Sequence, residues 1–134
     1  MATKEFYVYV LYIEDERPVI DLVREALKLA GYKVVGATSG KQGLSLMRER
    51  KPDLLLLDLM MPDLNGWDVY REMKKDKALA DIPVVVVSAK VPDRGKVIIE
   101  DLPPVQDYIT KPFDVEQLIR AVKNILADGK MKAH

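Results

Sequence analysis

The sequence contains no cysteine, and its one histidine, His134, is the last residue. These absences exclude disulfide bonds, thiolate zinc sites and thiol catalysis, together with a buried histidine base or a metal site built from several histidines. An excess of charge is missing too, since 21 basic residues balance 21 acidic ones. The chain as a whole therefore has no field that would attract it to nucleic acid or to an anionic membrane.

Long apolar stretches are also missing. No run approaches the roughly 18 residues of a membrane-spanning helix, and the amino end lacks the pattern of a signal peptide, so we expect a cytoplasmic protein. At 134 residues, 49% of them hydrophobic and 31% charged, the chain has the size and composition of one globular domain. We predict that domain over residues 1–127 and a flexible tail over 128–134.

Five short apolar runs alternate with helical patterns. The runs at 53–58 and 82–87 contain unbroken apolar stretches, which are typical of strands buried on both faces of a parallel sheet. The other predicted strands are 6–13, 33–37 and 105–110, and the predicted helices are 17–30, about 40–50, 65–75, 93–101 and a last helix from 114. This alternation predicts an α/β domain whose parallel sheet is covered on both faces.

Polar and charged side chains follow the ends of four predicted strands: Glu14 and Asp15, then Asp58, Ser88 and Lys111. Each has an ordinary explanation when it is considered alone, as a solvated turn, a helix cap or a surface lysine. Right-handed crossovers bring the carboxyl ends of all parallel strands to one edge, where open α/β sheets build their sites. The combination therefore predicts a site with three carboxylates, a hydroxyl and an ammonium group.

These segments resemble the receiver domain of bacterial and archaeal two-component response regulators. The resemblance covers about residues 7–127 and rests on Glu14-Asp15-Glu16, Asp58, Met61-Pro62, Asn65-Gly66, Ser88-Ala89 and Lys111-Pro112-Phe113. It implies a flavodoxin-like (βα)5 fold, in which a doubly wound, five-stranded parallel sheet has the strand order 2-1-3-4-5.

The resemblance also implies a phosphoacceptor site. Asp58 would accept a phosphoryl group, Ser88 would hold one of its oxygens, and Lys111 would pair with the phosphoryl group or with Asp58. Mg²⁺, for which Mn²⁺ could substitute, would be bound by Asp15, Asp58, the backbone oxygen of Met60 and, through water, Glu14. Phosphoryl transfer needs mainly positioning and charge neutralisation, which such a set supplies.

The same resemblance implies a switch and a set of partners. Ser88, Ala89 and Tyr108 would shift on phosphorylation, and the Lys111–Pro112 peptide bond would be cis. The readout surface would consist of the fourth helix, the fifth strand and the last helix, which could also form a homodimer. The phosphodonor would be a sensor histidine kinase or a phosphotransfer protein, and we expect no direct binding to nucleic acid or membrane.

The electrostatics of such a crevice lead to a further expectation. Two carboxylates about 4 Å apart repel by roughly 4 kcal/mol at an effective dielectric constant near 20. Without a metal ion, the crevice should therefore raise the pKa of at least one carboxyl group or hold another cation.

Several positions depart from the common pattern of the family. Glu14 stands where many members have aspartate, Met60 and Lys90 occupy positions that affect the access of water, and Pro103-Pro104 replaces a turn of small residues. The lifetime of the phosphorylated state and the shape of 91–105 therefore stay open.

Three other functions are weighed against the phosphoacceptor switch. A receiver-like interaction module that is never phosphorylated is disfavoured because every motif group is present. A Mg²⁺-dependent phosphohydrolase with Asp58 as nucleophile usually has a second aspartate two residues later, where this chain has Met60. A flavodoxin would need a phosphate-binding loop after the first strand, and none follows it. We therefore expect the chain to be a receiver domain rather than an enzyme, either stand-alone or part of a longer regulator.

Overall fold

A computed structural model describes residues 8–61, 63, 65–89 and 105–132 of the chain, with side chains through 127. The strands in these ranges are β1 (Val8–Ile13), β2 (Tyr32–Ala37), β3 (Leu54–Leu57), β4 (Val84–Ser88) and β5 (Asp107–Thr110). The helices are α1 (Arg17–Leu29), α2 (Gly40–Glu49), α3 (Gly66–Lys75) and α4 (Val115–Lys132). All neighbouring strands are parallel and their order is β2-β1-β3-β4-β5, as predicted.

The central strands of the sheet are buried on both faces, because successive strand residues point in opposite directions and helices cover both sides. In β3, Leu55 and Leu57 belong to a core cluster that includes residues of α2 and α3. Leu54 and Leu56 belong to a second cluster with residues of α1 and α4. All four leucines are fully buried, so the unbroken apolar run predicted from the sequence reflects two cores rather than one.

Local signals in the sequence set the helix ends. Ser39 and Asn65 accept hydrogen bonds from the backbone N–H groups of Gln42 and Asp68, which caps the N-termini of α2 and α3. Gly31 follows the C-terminus of α1 with φ +91°, a conformation that glycine adopts without a steric penalty.

The observed bounds differ from the predicted ones at several places. β3, β4 and β5 begin one or two residues later than expected, and Asp53 and Asp58 flank β3 rather than extend it. α4 continues through Lys132, so residues 128–132, where a flexible tail is predicted, are helical in the structure. The expected helix at 93–101 and the first residues of the expected strand at 6–13 lie outside the described residues.

None of the helices in the described ranges combines the length and the apolar character that a membrane crossing requires.

Candidate functional site

Backbone hydrogen bonds continue the sheet beyond the strand ends and place the site residues at one edge. The N–H of Glu14 donates to the carbonyl of Ala37 at 2.8 Å, and the N–H of Asp58 donates to the carbonyl of Ile13 at 3.0 Å. The N–H of Lys111 donates to the carbonyl of Ser88, also at 3.0 Å. The sheet therefore fixes the backbone from which each of these side chains projects.

Asp58 lies at the centre of this edge and is only 4% exposed. Its Oδ1 accepts a hydrogen bond from the hydroxyl of Ser88 at 3.0 Å and one from the backbone N–H of Met60 at 3.0 Å. Its Oδ2 lies 3.2 Å from the Nζ of Lys111. The sequence predicts that Ser88 and Lys111 lie at the same edge as Asp58. The structure shows that both side chains, and the Met60 N–H as well, contact the Asp58 carboxylate.

Lys111 forms a second ion pair that the sequence did not indicate. Its ammonium group also donates to the Oε1 of Glu14, a fully buried side chain. Oε1 of Glu14 lies 3.2 Å from the hydroxyl of Tyr12, and Oε2 accepts a hydrogen bond from the N–H of Glu16 at 3.1 Å. One lysine thus stands between two buried carboxylates, and Glu14 has hydrogen bonds to both of its oxygens.

The burial of these charges shifts their pKa values. Burial raises the pKa of Glu14 to about 7, although the hydrogen bond from Lys111 acts in the opposite direction. Burial lowers the pKa of Lys111, but Glu14 and Asp58 outweigh this effect, so that it lies above its ordinary value. The pKa of Tyr12 is raised by burial and by the neighbouring charge of Glu14. The expected raised carboxyl pKa is found at Glu14, although burial contributes more to it than repulsion by Asp58 does. The cation between the two carboxylates is Lys111, a member of the site itself.

The turn after β3 is held by a close backbone approach. The N–H of Gly66 donates to the carbonyl of Leu59 at 3.0 Å. A Cβ added to Gly66 would lie 2.7 Å from the Cα of Leu59 and closer still to the carbonyl oxygen of Asp58. The sequence predicts the start of a helix at Asn65-Gly66, and the structure adds that α3 begins directly against the backbone of Asp58.

An acidic cluster follows β1. Carboxylate oxygens of Glu14, Asp15 and Glu16 lie within 4.8 Å of one another, and the last two side chains are exposed. The Lys111 ammonium joins Glu14 of this cluster to Asp58. Hard oxygen donors of this kind suit Mg²⁺, which retains water molecules and takes one or two carboxylates. The chemistry of this donor set fits the expected metal, and the set contains Glu16, which was not among the predicted ligands.

The remaining predicted residues lie around this edge. The Lys111–Pro112 peptide bond is cis, in agreement with the expectation. Tyr108 is 36% exposed on β5, Met60 is 51% exposed, and Ala89 is exposed after β4. Lys90 and the segment expected to form the fourth helix lie outside the described residues.

Two residues of this region were not identified from the sequence. Tyr12 contacts Glu14 from within β1, and Asp63 contacts the start of α2. A tyrosine two residues before a strand-end carboxylate shares its side of the strand, which is the one signal that could have indicated Tyr12. Asp63 carries no such signal because its partners are far away in the chain.

The family model for the response regulator receiver domain matches residues 10–123, which is most of the chain. The chain belongs to the response regulator receiver domain family. The resemblance noted from the motifs is thereby confirmed over residues 10–123.

Two curated relatives are similar to this chain over part of their own length. It is 35% identical over 117 residues to the phosphate regulon transcriptional regulatory protein PhoB of Pseudomonas aeruginosa, covering 87% of this chain and 51% of that protein. It is 34% identical over 126 residues to the response regulator SaeR of Staphylococcus aureus, covering 94% of this chain and 54% of that protein. The chain thus spans about half the length of these relatives.

Solved structures agree with the family. The receiver domain of the Francisella response regulator 1452 is 30% identical with a TM-score of 0.78, and the match covers 91% of this chain and 98% of that one. A sensor protein from Polaromonas is 24% identical with a TM-score of 0.82, covering 90% of this chain and 96% of that one, and it supports the fold alone.

Proposed function

We propose that this receiver domain is the phosphoacceptor switch of a two-component phosphorelay and that Asp58 takes the phosphoryl group from a histidine kinase or a phosphotransfer protein. The observation that carries the proposal is the convergence on Asp58 of the Ser88 hydroxyl, the Met60 N–H and the Lys111 ammonium. All three are donors, and all three come from different segments of one sheet edge. Such donors stabilise negative charge that arrives during phosphoryl transfer.

In the proposed reaction a carboxylate oxygen of Asp58 attacks phosphorus. The O–P bond forms as the bond between phosphorus and the donor imidazole nitrogen breaks, and the electron pair of that bond stays on the nitrogen. Ser88 and Lys111 then donate to the phosphoryl oxygens rather than to the free carboxylate. Burial of Asp58 strengthens these interactions because little water screens them.

We propose that Mg²⁺ would be held by the side chains of Asp15 and Asp58 and by the backbone oxygen of Met60, with Glu14 acting through water. The acidic cluster after β1 supports this assignment. When bound, Mg²⁺, or Mn²⁺ in its place, would neutralise the charge shared by the carboxylates and the incoming phosphoryl group. Glu14 already has hydrogen bonds to both oxygens, which is consistent with an indirect role.

The switch would begin at Ser88. An aspartyl phosphate adds charge and acceptor oxygens at Asp58, so the hydroxyl of Ser88 would turn from the carboxylate to the phosphoryl group. Ala89, which directly follows, would move with it and leave room for the half-exposed ring of Tyr108. The output would pass through β5, α4 and the segment between β4 and β5 to a partner, an attached output domain or a second copy of the chain.

The remaining parts of the proposal concern the cellular setting. A cytoplasmic switch without direct contact to nucleic acid or membrane agrees with the balanced charge of 21 basic and 21 acidic residues. We propose no enzymatic turnover beyond self-phosphorylation from small donors and loss of the phosphoryl group. PhoB is a transcriptional regulatory protein by name. For this chain we propose a downstream target or output domain whose kind is unknown.

The test is incubation with Mg²⁺ and a small acyl-phosphate donor, followed by intact mass measurement. We expect one phosphoryl adduct in the wild type and none in Asp58→Asn. Asp53→Asn is the matched control, because Asp53 flanks the opposite end of β3 and should leave the adduct unchanged. Rapid turnover without an adduct would favour a phosphohydrolase, and no adduct with any donor would favour an interaction module that is never phosphorylated.

A further inference from the structure

Asp63 connects the loop after β3 to the start of α2. Its Oδ1 accepts a hydrogen bond from the backbone N–H of Gly40 at 3.1 Å, and its Oδ2 accepts one from the N–H of Lys41 at 3.2 Å. These partners are 23 and 22 residues away in the sequence. One carboxylate thus binds the first two residues of a helix that belongs to another part of the chain.

The contact is suited to a carboxylate. The first N–H groups of a helix have no partner within the helix, and this end of the helix carries partial positive charge. Ser39 caps α2 locally, since its hydroxyl accepts a hydrogen bond from the N–H of Gln42 at 3.1 Å. Asp63 accepts hydrogen bonds from the two preceding N–H groups, those of Gly40 and Lys41. Ser39 directly precedes α2, whereas Asp63 belongs to the loop that follows Asp58.

α2 is itself packed closely against the other side of the site. A Cβ added to Gly43 would lie 2.6 Å from Cγ1 of Ile13, the residue before Glu14. The first turn of α2 therefore holds Asp63, and the next residues lie against the end of β1. Through this helix, the loop after β3 is held in a fixed relation to the acidic loop after β1.

We propose that Asp63 is a positioning residue for phosphorylation of Asp58. The inference rests on the proposed function, because it concerns the loop that presents the phosphoacceptor. That loop carries the N–H of Met60, which donates to Oδ1 of Asp58, and the backbone oxygen of Met60 that we assign to the metal. Anchoring the loop on α2 keeps the Met60 N–H aimed at the reacting carboxylate and fixes the Met60 carbonyl that would serve the metal, and small displacements of such groups have large effects on rate.

The first test compares phosphorylation rates of Asp63→Ala and Ser39→Ala under saturating Mg²⁺ and small acyl-phosphate donor. Both variants remove a cap of α2, but only the first releases the loop. We expect Asp63→Ala to react about tenfold more slowly and Ser39→Ala to react within about twofold of the wild type. Asp63→Asn keeps one acceptor oxygen and should recover part of the rate. Equal rates for Asp63→Ala and the wild type, or an equal loss in Ser39→Ala, would overturn the proposal.

The second test is amide hydrogen exchange of the metal-free proteins, which does not depend on phosphorylation. We expect faster exchange at Met60 and Gly66 in Asp63→Ala, and unchanged exchange at both amides in Ser39→Ala. Unchanged exchange in Asp63→Ala would overturn the positioning role even if its rate fell. If the wild type formed no adduct, the proposed function would fail, while the exchange comparison would still decide whether Asp63 holds the loop.

Discussion

The Nζ of Lys111 lies 3.2 Å from the Oδ2 of Asp58, although 53 residues separate them in the sequence. The same ammonium group also donates to the buried carboxylate of Glu14. In the metal-free protein, Lys111 is thus the cation that balances the two most deeply buried acids of the site. Removal of this cation should affect stability and metal binding in opposite directions.

Lys111→Met should therefore lower the free energy of unfolding without metal by roughly 3 kcal/mol, because it leaves buried carboxylates unpaired. It should also bind Mg²⁺ more tightly, since a competing positive charge is gone. Urea unfolding with and without Mg²⁺ measures both effects, and Mg²⁺ should restore more stability to the variant than to the wild type. Lys74→Met is the matched control, because Lys74 donates to the carbonyl of Ala80 and should show no extra recovery. Equal recovery in both variants would contradict the role of Lys111.

Glu14→Gln should change the dependence of stability on pH. The pKa of Glu14 is raised from 4.5 to about 7 on folding, chiefly by burial. Between these values the folded protein holds a proton that the unfolded chain has released, so wild-type stability falls as the pH rises from 4.5 to 7. The variant lacks this loss. As the pH rises over this interval, we expect the free energy of unfolding of Glu14→Gln to increase by up to ~3 kcal/mol relative to that of the wild type.

Urea unfolding in chelator at pH 5 and at pH 7.5 provides the measurement. Lys111 is protonated in both states throughout this interval, because its pKa lies above the ordinary value of 10.5 in the folded protein. If the stability difference between Glu14→Gln and the wild type did not vary with pH, the pKa of Glu14 would not be raised in the folded protein.

Gly66→Ala should both destabilise the domain and slow phosphorylation. The new Cβ would meet backbone atoms of Asp58 and Leu59, which cannot turn aside as a flexible side chain can. We expect a loss of about 2 kcal/mol in the free energy of unfolding. Gly31→Ala is an informative control, because no atom lies within 4 Å of its added Cβ and only its φ of +91° is unfavourable. That variant should lose stability but form the phosphoryl adduct at the wild-type rate.

Ser88→Ala should slow adduct formation about 10- to 100-fold, because it removes a buried donor that we assign to the phosphoryl group. The fully buried hydroxyl now donates to Asp58 at 3.0 Å. Ser88→Thr retains a hydroxyl and should recover most of the rate. Intact mass measured over time distinguishes the three proteins. A wild-type rate in Ser88→Ala would remove Ser88 from the proposed mechanism.

Much of the fold could be predicted because its signals are local. Four consecutive leucines after Asp53 indicate a strand buried on both faces, and Ser39, Asn65 and Gly31 mark helix ends through their own side chains or backbone conformation. The end of the last helix was less predictable, because α4 continues through Lys132 where a loose tail was expected. Helix ends fray gradually, so the last turn of a helix is a weakly defined boundary unless a cap fixes it.

The candidate site was predictable only in part. Glu14, Asp58, Ser88 and Lys111 could be assigned to one edge because parallel strands point the same way. The resemblance implied a pairing of Lys111 with the phosphoryl group or with Asp58, whereas the second contact of Lys111, with Glu14, had no signal in the sequence.

Patterns within the sequence are enough to give the strands and helices in their order along the chain, the chemical groups at the strand ends and, through the motifs, the family. Three contacts become visible only in the folded chain: Lys111 contacts both Glu14 and Asp58, Gly66 lies against the Asp58 backbone, and Asp63 caps α2. The difference lies in the range of the interactions. Hydrophobic periodicity and capping act over a few residues, whereas these contacts join segments that approach each other only once the sheet has formed.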